Sequence, residues 1–206
     1  TFKELTEANF LESANEALEI GRKLGNKVIL ISTSTGSTLS LTLASTNHDI
    51  EALILYSPFI DLVDHTMAGI IKPGGLEKFI ERNGGEMLYR ERPPDQAKYW
   101  STNYHANGYI ALISLLKSNM NDATFSKVKC PVFLGYYYKN EEEQDEVVSV
   151  AAMLTMYKAL GTNETEKTQM AFPLSGNHVI GCDLRSADWK SVYSETVSFL
   201  DRCVMN

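Results

Sequence analysis

Residues Val28 to Leu43 read VILISTSTGSTLSLTL. A β-branched apolar strand runs into Ser32-Thr33-Ser34-Thr35-Gly36, and a helix-forming stretch starts at once. This is the layout of a nucleophile elbow, in which a serine is held on a sharp strand-to-helix turn. Such a turn lifts the Ser34 hydroxyl above the sheet edge and aims the N–H groups that follow, Thr35 first, at a developing oxyanion. Strand and helix backbones approach closely there, so the flanking residues must be small. Gly36 meets that need, and Ser32 stands where the common G-x-S-x-G pattern has its first glycine. A plain βα turn is also rich in Ser, Thr and Gly, so the pentapeptide needs partners elsewhere in the chain.

Upstream of the elbow, Thr6 caps a helix through Leu24, with Phe10, Ala14, Ala17, Leu18 and Leu24 on one face and Gly25 as the stop. Val28–Ile31 is apolar throughout, which predicts a strand with no wet face. Ala52–Tyr56 is a second buried strand, Val132–Tyr137 a third and Thr168–Phe172 a weaker fourth. Helices are predicted over about 36–44, 147–160 and 187–204. Strands alternating with helices predict an α/β fold, a mostly parallel sheet with helices on both faces.

The stretch 62–129 breaks that rhythm. It carries Pro73-Gly74-Gly75, Gly84-Gly85 and Pro93-Pro94 and is too long for a βα connection. It reads as a largely helical lid inserted into a core made of 1–61 and 130–206. Its amphipathic rings Tyr99, Trp100 and Tyr104 are candidate substrate-binding residues, with Tyr89 and Tyr109 beside them; the same rings also serve to pack a lid onto a body.

The chain has 206 residues, 44% hydrophobic and 22% charged, with net charge −7. That is one globular domain with no basic cluster for a nucleic acid. No apolar run approaches the roughly 20 residues that span a bilayer. Cys130, Cys182 and Cys203 are widely spaced and odd in number, which points to buried free thiols and to neither a disulfide framework nor a zinc site. No metal or cofactor is called for. The chain begins at Thr1 with no visible signal peptide, which leaves the compartment open between cytoplasm and export.

A serine nucleophile needs a general base, and the base needs an orienting acid. Of His48, His65, His105 and His178, only His178 sits in a Gly-containing loop directly after a predicted strand, in Ser175-Gly176-Asn177-His178-Val179. His48 reads as solvated, and His65 and His105 fall in the insertion. Acids cluster in Glu141-Glu142-Glu143-Gln144-Asp145-Glu146, ordinarily a solvated loop, but Asp145 stands at its end against Val147-Val148 and a helix. Ser34, Asp145 and His178 thus each follow a buried parallel strand, at the sheet edge where open α/β sheets place their sites.

With these residues in hand the chain resembles the α/β-hydrolases, in particular the esterase, lipase and serine-aminopeptidase-like branch. The family's elbow corresponds to Ser32–Gly36, its D-x-V-V loop to Asp145-Glu146-Val147-Val148 and its histidine loop to Gly176-Asn177-His178-Val179. The insertion falls where that family carries a lid. The resemblance implies a serine hydrolase cleaving small or lipid-like carboxylic esters, with Ser34 as nucleophile, His178 as base, Asp145 as its orienting acid and the Thr35 N–H as one oxyanion donor. A peptidase or amidase of the same fold, and a non-catalytic binding or scaffold remnant, remain open. A full family domain has four strands and the oxyanion loop ahead of the helix that opens this sequence. Without them the Val28–Ile31 strand would present an apolar edge prone to aggregation. The expectation is therefore that an upstream segment or another copy pairs with that edge, and that the second oxyanion donor comes from upstream.

Overall fold

The computed structural model describes residues 2–63 and 65–205, the side chains of residues 66 and 67 apart. In chain order the elements are α1 (Glu7–Leu24), β1 (Val28–Thr33), α2 (Thr35–Ala44), β2 (Ile50–Tyr56), α3 (Gly75–Asn83), β3 (Met87–Tyr89), β4 (Asn103–His105), α4 (Asn107–Asn119), α5 (Asp122–Phe125), β5 (Val132–Tyr136), α6 (Val150–Ala159), β6 (Lys167–Ala171) and α7 (Trp189–Cys203). Thr6 starts α1 with a reciprocal cap. Its side chain accepts from the Asn9 N–H, and the Asn9 side chain accepts from the Thr6 N–H, which satisfies two amides that a helix start leaves unpaired. Leu18 is buried as its spacing predicts, but Leu24, expected on the same face, is 83% exposed. The helix lies along the outside, touching β1, α2 and α4, and Lys23 and Leu24 at its end are uncovered.

β1, β2, β5 and β6 form a parallel sheet in the order β1-β2-β5-β6. The register is level at one end: Thr33 pairs with Tyr56, Tyr56 with Gly135 and Gly135 with Met170. The loops leaving these strands therefore emerge along one edge. Side chains alternate across the sheet with the period of two that strands impose. Leu53, Leu55 and Leu134 join the cluster formed with α2, α4, α5 and α6, while Ile54 and Phe133 pack with Val192 and Phe199 of α7. Both faces of β2 and β5 are covered, as their unbroken apolar sequences require.

β1 departs from expectation. Ile31 is 62% exposed: β1 is an edge strand of the sheet among the described residues, and of its side chains on that face Ile29, not Ile31, packs with the α7 cluster. An uncovered strand edge with an apolar flank is a template for another strand. We therefore expect this chain to self-associate through β1. Light scattering at micromolar concentration should report particles above the 23.0 kDa of one chain, and Ile31→Lys should shift them back to monomer. A wild-type chain that stays monomeric would show that this edge does not recruit another copy.

The insertion is less purely helical than its sequence suggests. β3 and β4 pair antiparallel, with Met87 opposite His105 and Tyr89 opposite Asn103. Strands of three residues on either side of a Pro-rich loop are too short to show a period. Nor does packing divide the chain at 62 and 129: Ile113, Leu116, Phe125 and Val128 belong to the same apolar cluster as Leu53 and Leu134.

Candidate active site

Ser34 sits between β1 and α2 with φ 56° and ψ −123°, a conformation that costs a non-glycine residue about 1–3 kcal/mol. Four backbone hydrogen bonds hold it there. The Ser34 N–H donates to the Tyr56 carbonyl at 3.0 Å, and the Ser34 carbonyl accepts from Ser37 at 2.9 Å, Phe59 at 3.2 Å and Thr38 at 3.3 Å. Ser32 closes the strand onto the helix, its hydroxyl 3.2 Å from that of Ser37, which in turn donates to the Ser32 carbonyl at 3.0 Å. The turn is less tight at Gly36 than the sequence suggests: a Cβ added there would meet the Ser32 Cβ at 3.5 Å, an ordinary contact, so a methyl group fits. Thr35 opens α2, so its N–H is one of the amides at a helix start that have no partner inside the helix.

Asp145 ends the acidic loop after β5. Its N–H donates to the Tyr137 carbonyl at 3.2 Å, and Oδ1 accepts from the Val147 and Val148 N–H groups at 2.9 and 3.1 Å. Oδ2 lies 2.7 Å from His178 Nδ1, with the Asp145 side chain wholly buried and that of His178 12% exposed. A carboxylate can only accept, so this bond places the proton on Nδ1 and leaves Nε2 as a free base. The neighbouring glutamates do not compete. Glu141 bonds Tyr138, Glu143 bonds Lys139, and Glu142 and Glu146 are exposed. The His178 loop turns through Gly176 at φ 62°, where a side chain would be strained.

Ser34, Thr35 and His178 open into one cavity of 510 Å³. Phe59, Trp100, Tyr104, Tyr109, Leu112 and Val147 form its apolar wall, with Phe2, Leu5 and Phe10 contributing from the other end of the sequence. Ser34 Oγ has no hydrogen-bond partner among the described residues. The tyrosine hydroxyls are held by arginines, Tyr104 accepting from Arg92 at 3.0 Å and Tyr109 from Arg90 at 3.4 Å, while their rings pack against Phe2 and Phe79 respectively. His105 also lines it, but its Nδ1 accepts from the Asn107 N–H and its Nε2 faces Glu86.

Tyr99 is the correction among the proposed pocket residues. It is 73% exposed, stands edge-on to Trp100 and is absent from the wall. Tyr89 is likewise exposed, and His48 and His65 lie outside the cavity. Phe59 of the wall directly follows Ser57-Pro58 at the end of β2, a strand-end position that marks it in the sequence as a site candidate. Ser57 lies beneath the site. It has φ 43°, is wholly buried, and its hydroxyl has no partner among the described residues. The three cysteines are free but only partly buried, with burial pushing the Cys130 thiol up to about 11. Among the described residues no group of His, Cys, Asp and Glu is placed to hold a metal ion, and no helix is long and apolar enough to cross a membrane.

No family model and no curated protein matches the chain. Solved structures do. One is from the metagenome-derived lipolytic enzymes LipS and LipT, at 14% identity with a TM-score of 0.75 over 97% of this chain and 75% of that one. A monoacylglycerol lipase from Paleococcus ferrophilus is 17% identical with a TM-score of 0.65, over 93% of this chain and 75% of that one. A soluble variant of the monoglyceride lipase of Saccharomyces cerevisiae is 15% identical with a TM-score of 0.62, over 94% and 68%. At these identities the likeness is one of fold.

Proposed function

We propose that this chain, which has the α/β-hydrolase fold, hydrolyses carboxylic esters through an acyl-enzyme. The observation that carries the reading is a buried His178–Asp145 pair opening onto the same apolar cavity as a serine held at φ 56°. Ser34 Oγ attacks the acyl carbon while His178 Nε2 takes its proton, and Asp145 holds the imidazole and stabilises its cation. The Thr35 N–H donates to the oxygen that becomes negative, at the positive end of α2. His178 then returns the proton to the leaving alcohol, and water releases the acyl group by the reverse route. The aromatic wall favours an apolar acyl chain over a charged one. Lipolytic enzymes and a monoacylglycerol lipase are among the solved structures that share its fold.

The test is a fluorophosphonate probe followed by peptide mapping. Labelling confined to the Ser34 peptide is expected, blocked by prior incubation with an ester substrate. Absence of labelling together with no turnover of any ester would leave a binding scaffold instead. Within this reading, Trp100→Ala removes apolar contact worth about 1–3 kcal/mol to a chain that reaches it. It should lower kcat/KM for a long-chain p-nitrophenyl ester by roughly 10–100-fold and leave the acetate nearly unchanged. Equal losses on both esters would return Trp100 to a packing role.

A further inference from the structure

The loop that carries His178 is tied to the insertion by one side chain. Its base is closed by Ser175, whose carbonyl accepts from the Ala187 N–H at 3.1 Å. Around the histidine, Asn177 Oδ1 accepts from the Val179 N–H at 3.0 Å and so brackets His178 from both sides. The same Oδ1 accepts from Arg185 Nε at 3.4 Å, while Arg185 Nη1 donates to Gln96 Oε1 at 2.7 Å. Gln96 anchors a tight turn: its N–H donates to the Pro93 carbonyl, and its carbonyl accepts from Tyr99 at 2.9 Å and Trp100 at 3.0 Å. Trp100 is a wall of the cavity above Ser34.

A guanidinium is a rigid fork of donors and can satisfy two acceptors on different segments at once, which a lysine cannot do in the same geometry. Arg185 uses that fork here. Among the described residues its bond to Gln96 is the single hydrogen bond between the stretch 65–105 and the loop 173–187. All three partners are half-buried, so the bonds are shielded in part from competing water.

We propose that Arg185 is a positioning residue that couples the Trp100 turn to the His178 loop. With the turn seated, Arg185 steadies Asn177 and hence the bracket that sets the imidazole against Asp145. When the turn moves away, the bracket loses its support and the base loses alignment. The imidazole is thus held against Asp145 only while the cavity wall is in place. This rests on the reading of His178 as the general base.

The test uses Gln96→Ala, Arg185→Met, Arg185→Lys and the Gln96→Ala/Arg185→Met pair. Two readouts are taken: hydrogen exchange of the amides 176–183, and kcat and KM for p-nitrophenyl acetate, which is too small to need Trp100. Gln96→Ala should speed exchange in 176–183 although it lies in another segment, and should lower kcat about tenfold with KM changed less than twofold, the scale of one hydrogen bond to a charged group. Arg185→Met should do the same, Arg185→Lys should not rescue, and the double variant should be no worse than the worse single. Additive losses, or a Gln96→Ala protein with wild-type exchange in 176–183, would overturn the coupling. Fluorophosphonate labelling of the wild-type protein decides the hydrolase reading separately, and the exchange result stands whichever way that falls.

Discussion

Ser34→Ala is expected to lower ester turnover by about 10⁶-fold, the usual consequence of removing a nucleophile that acts with its base as a unit. Folding should barely change. Ser34 Oγ makes no hydrogen bond among the described residues, and the four backbone bonds that hold the turn do not involve the side chain. Alanine is no better suited than serine to φ 56°, whereas glycine is. Ser34→Gly should therefore be equally inactive yet more stable, by about 1 kcal/mol, seen as a rise in melting temperature. Steady-state assays and thermal melts of the two variants check both halves. Substantial turnover by Ser34→Ala would send the search to another hydroxyl. Ser32 and Ser37 are poor replacements, because they are bonded to one another and to backbone carbonyls of the sheet.

Asp145→Asn should cost about 10⁴ in turnover. The substituted amide keeps an oxygen for Val147 and Val148 and turns its NH₂ group to His178 Nδ1. That reverses the direction of the 2.7 Å bond: Nδ1 becomes the acceptor, the proton moves to Nε2, and the base is lost without any change of shape. Because the two valine amides start the run into α6, Asp145→Ala should in addition destabilise the fold, leaving the buried Val148 donor without a partner at about 1–3 kcal/mol, while the exposed Val147 amide can turn to water. Glu141→Gln, Glu143→Gln and Glu146→Gln should stay within about twofold of wild type, since exposed charges contribute little. Turnover of the five variants, with a melt of Asp145→Ala, decides it. A glutamate variant as damaging as Asp145→Asn would move the acid elsewhere in the loop.

The parts of this site that could be read from sequence are those fixed by neighbours in the chain. The elbow is local: strand, serine, small residue and helix lie within Val28–Ala44. Asp145 and His178 were legible because each follows a strand whose apolar run, Val132–Tyr136 or the weaker Lys167–Ala171, marks where the sheet ends. The rest depends on the path of irregular chain. Between β3 and β4 no period indicates which ring turns inward, and so Tyr99 and Trp100, adjacent in sequence, divide between solvent and cavity. Phe2, Leu5 and Phe10 reach the same cavity from the other end of the chain, which no spacing rule could reveal. The exposure of Ile31 is likewise a property of the sheet's order and not of its own apolar stretch. The Gln96–Arg185 bond joins segments whose proximity only the fold creates.

The order β1-β2-β5-β6 also governs when the site comes into being. β1 and β2 are joined by a single short helix, and β5 and β6 by α6 and one turn of 3-10 helix, so each pair can form early from residues close in the chain. The middle pairing of β2 with β5 must instead bring together the two ends of residues 57–131. Closing a longer loop is entropically dearer, and parallel pairings across long separations are slow. Ser34 belongs to the first pair, Asp145 and His178 to the second. Helix and strand content is thus expected to be largely regained in refolding while Ser34 and His178 are still on separate halves, with the ester turnover proposed above expected to return last.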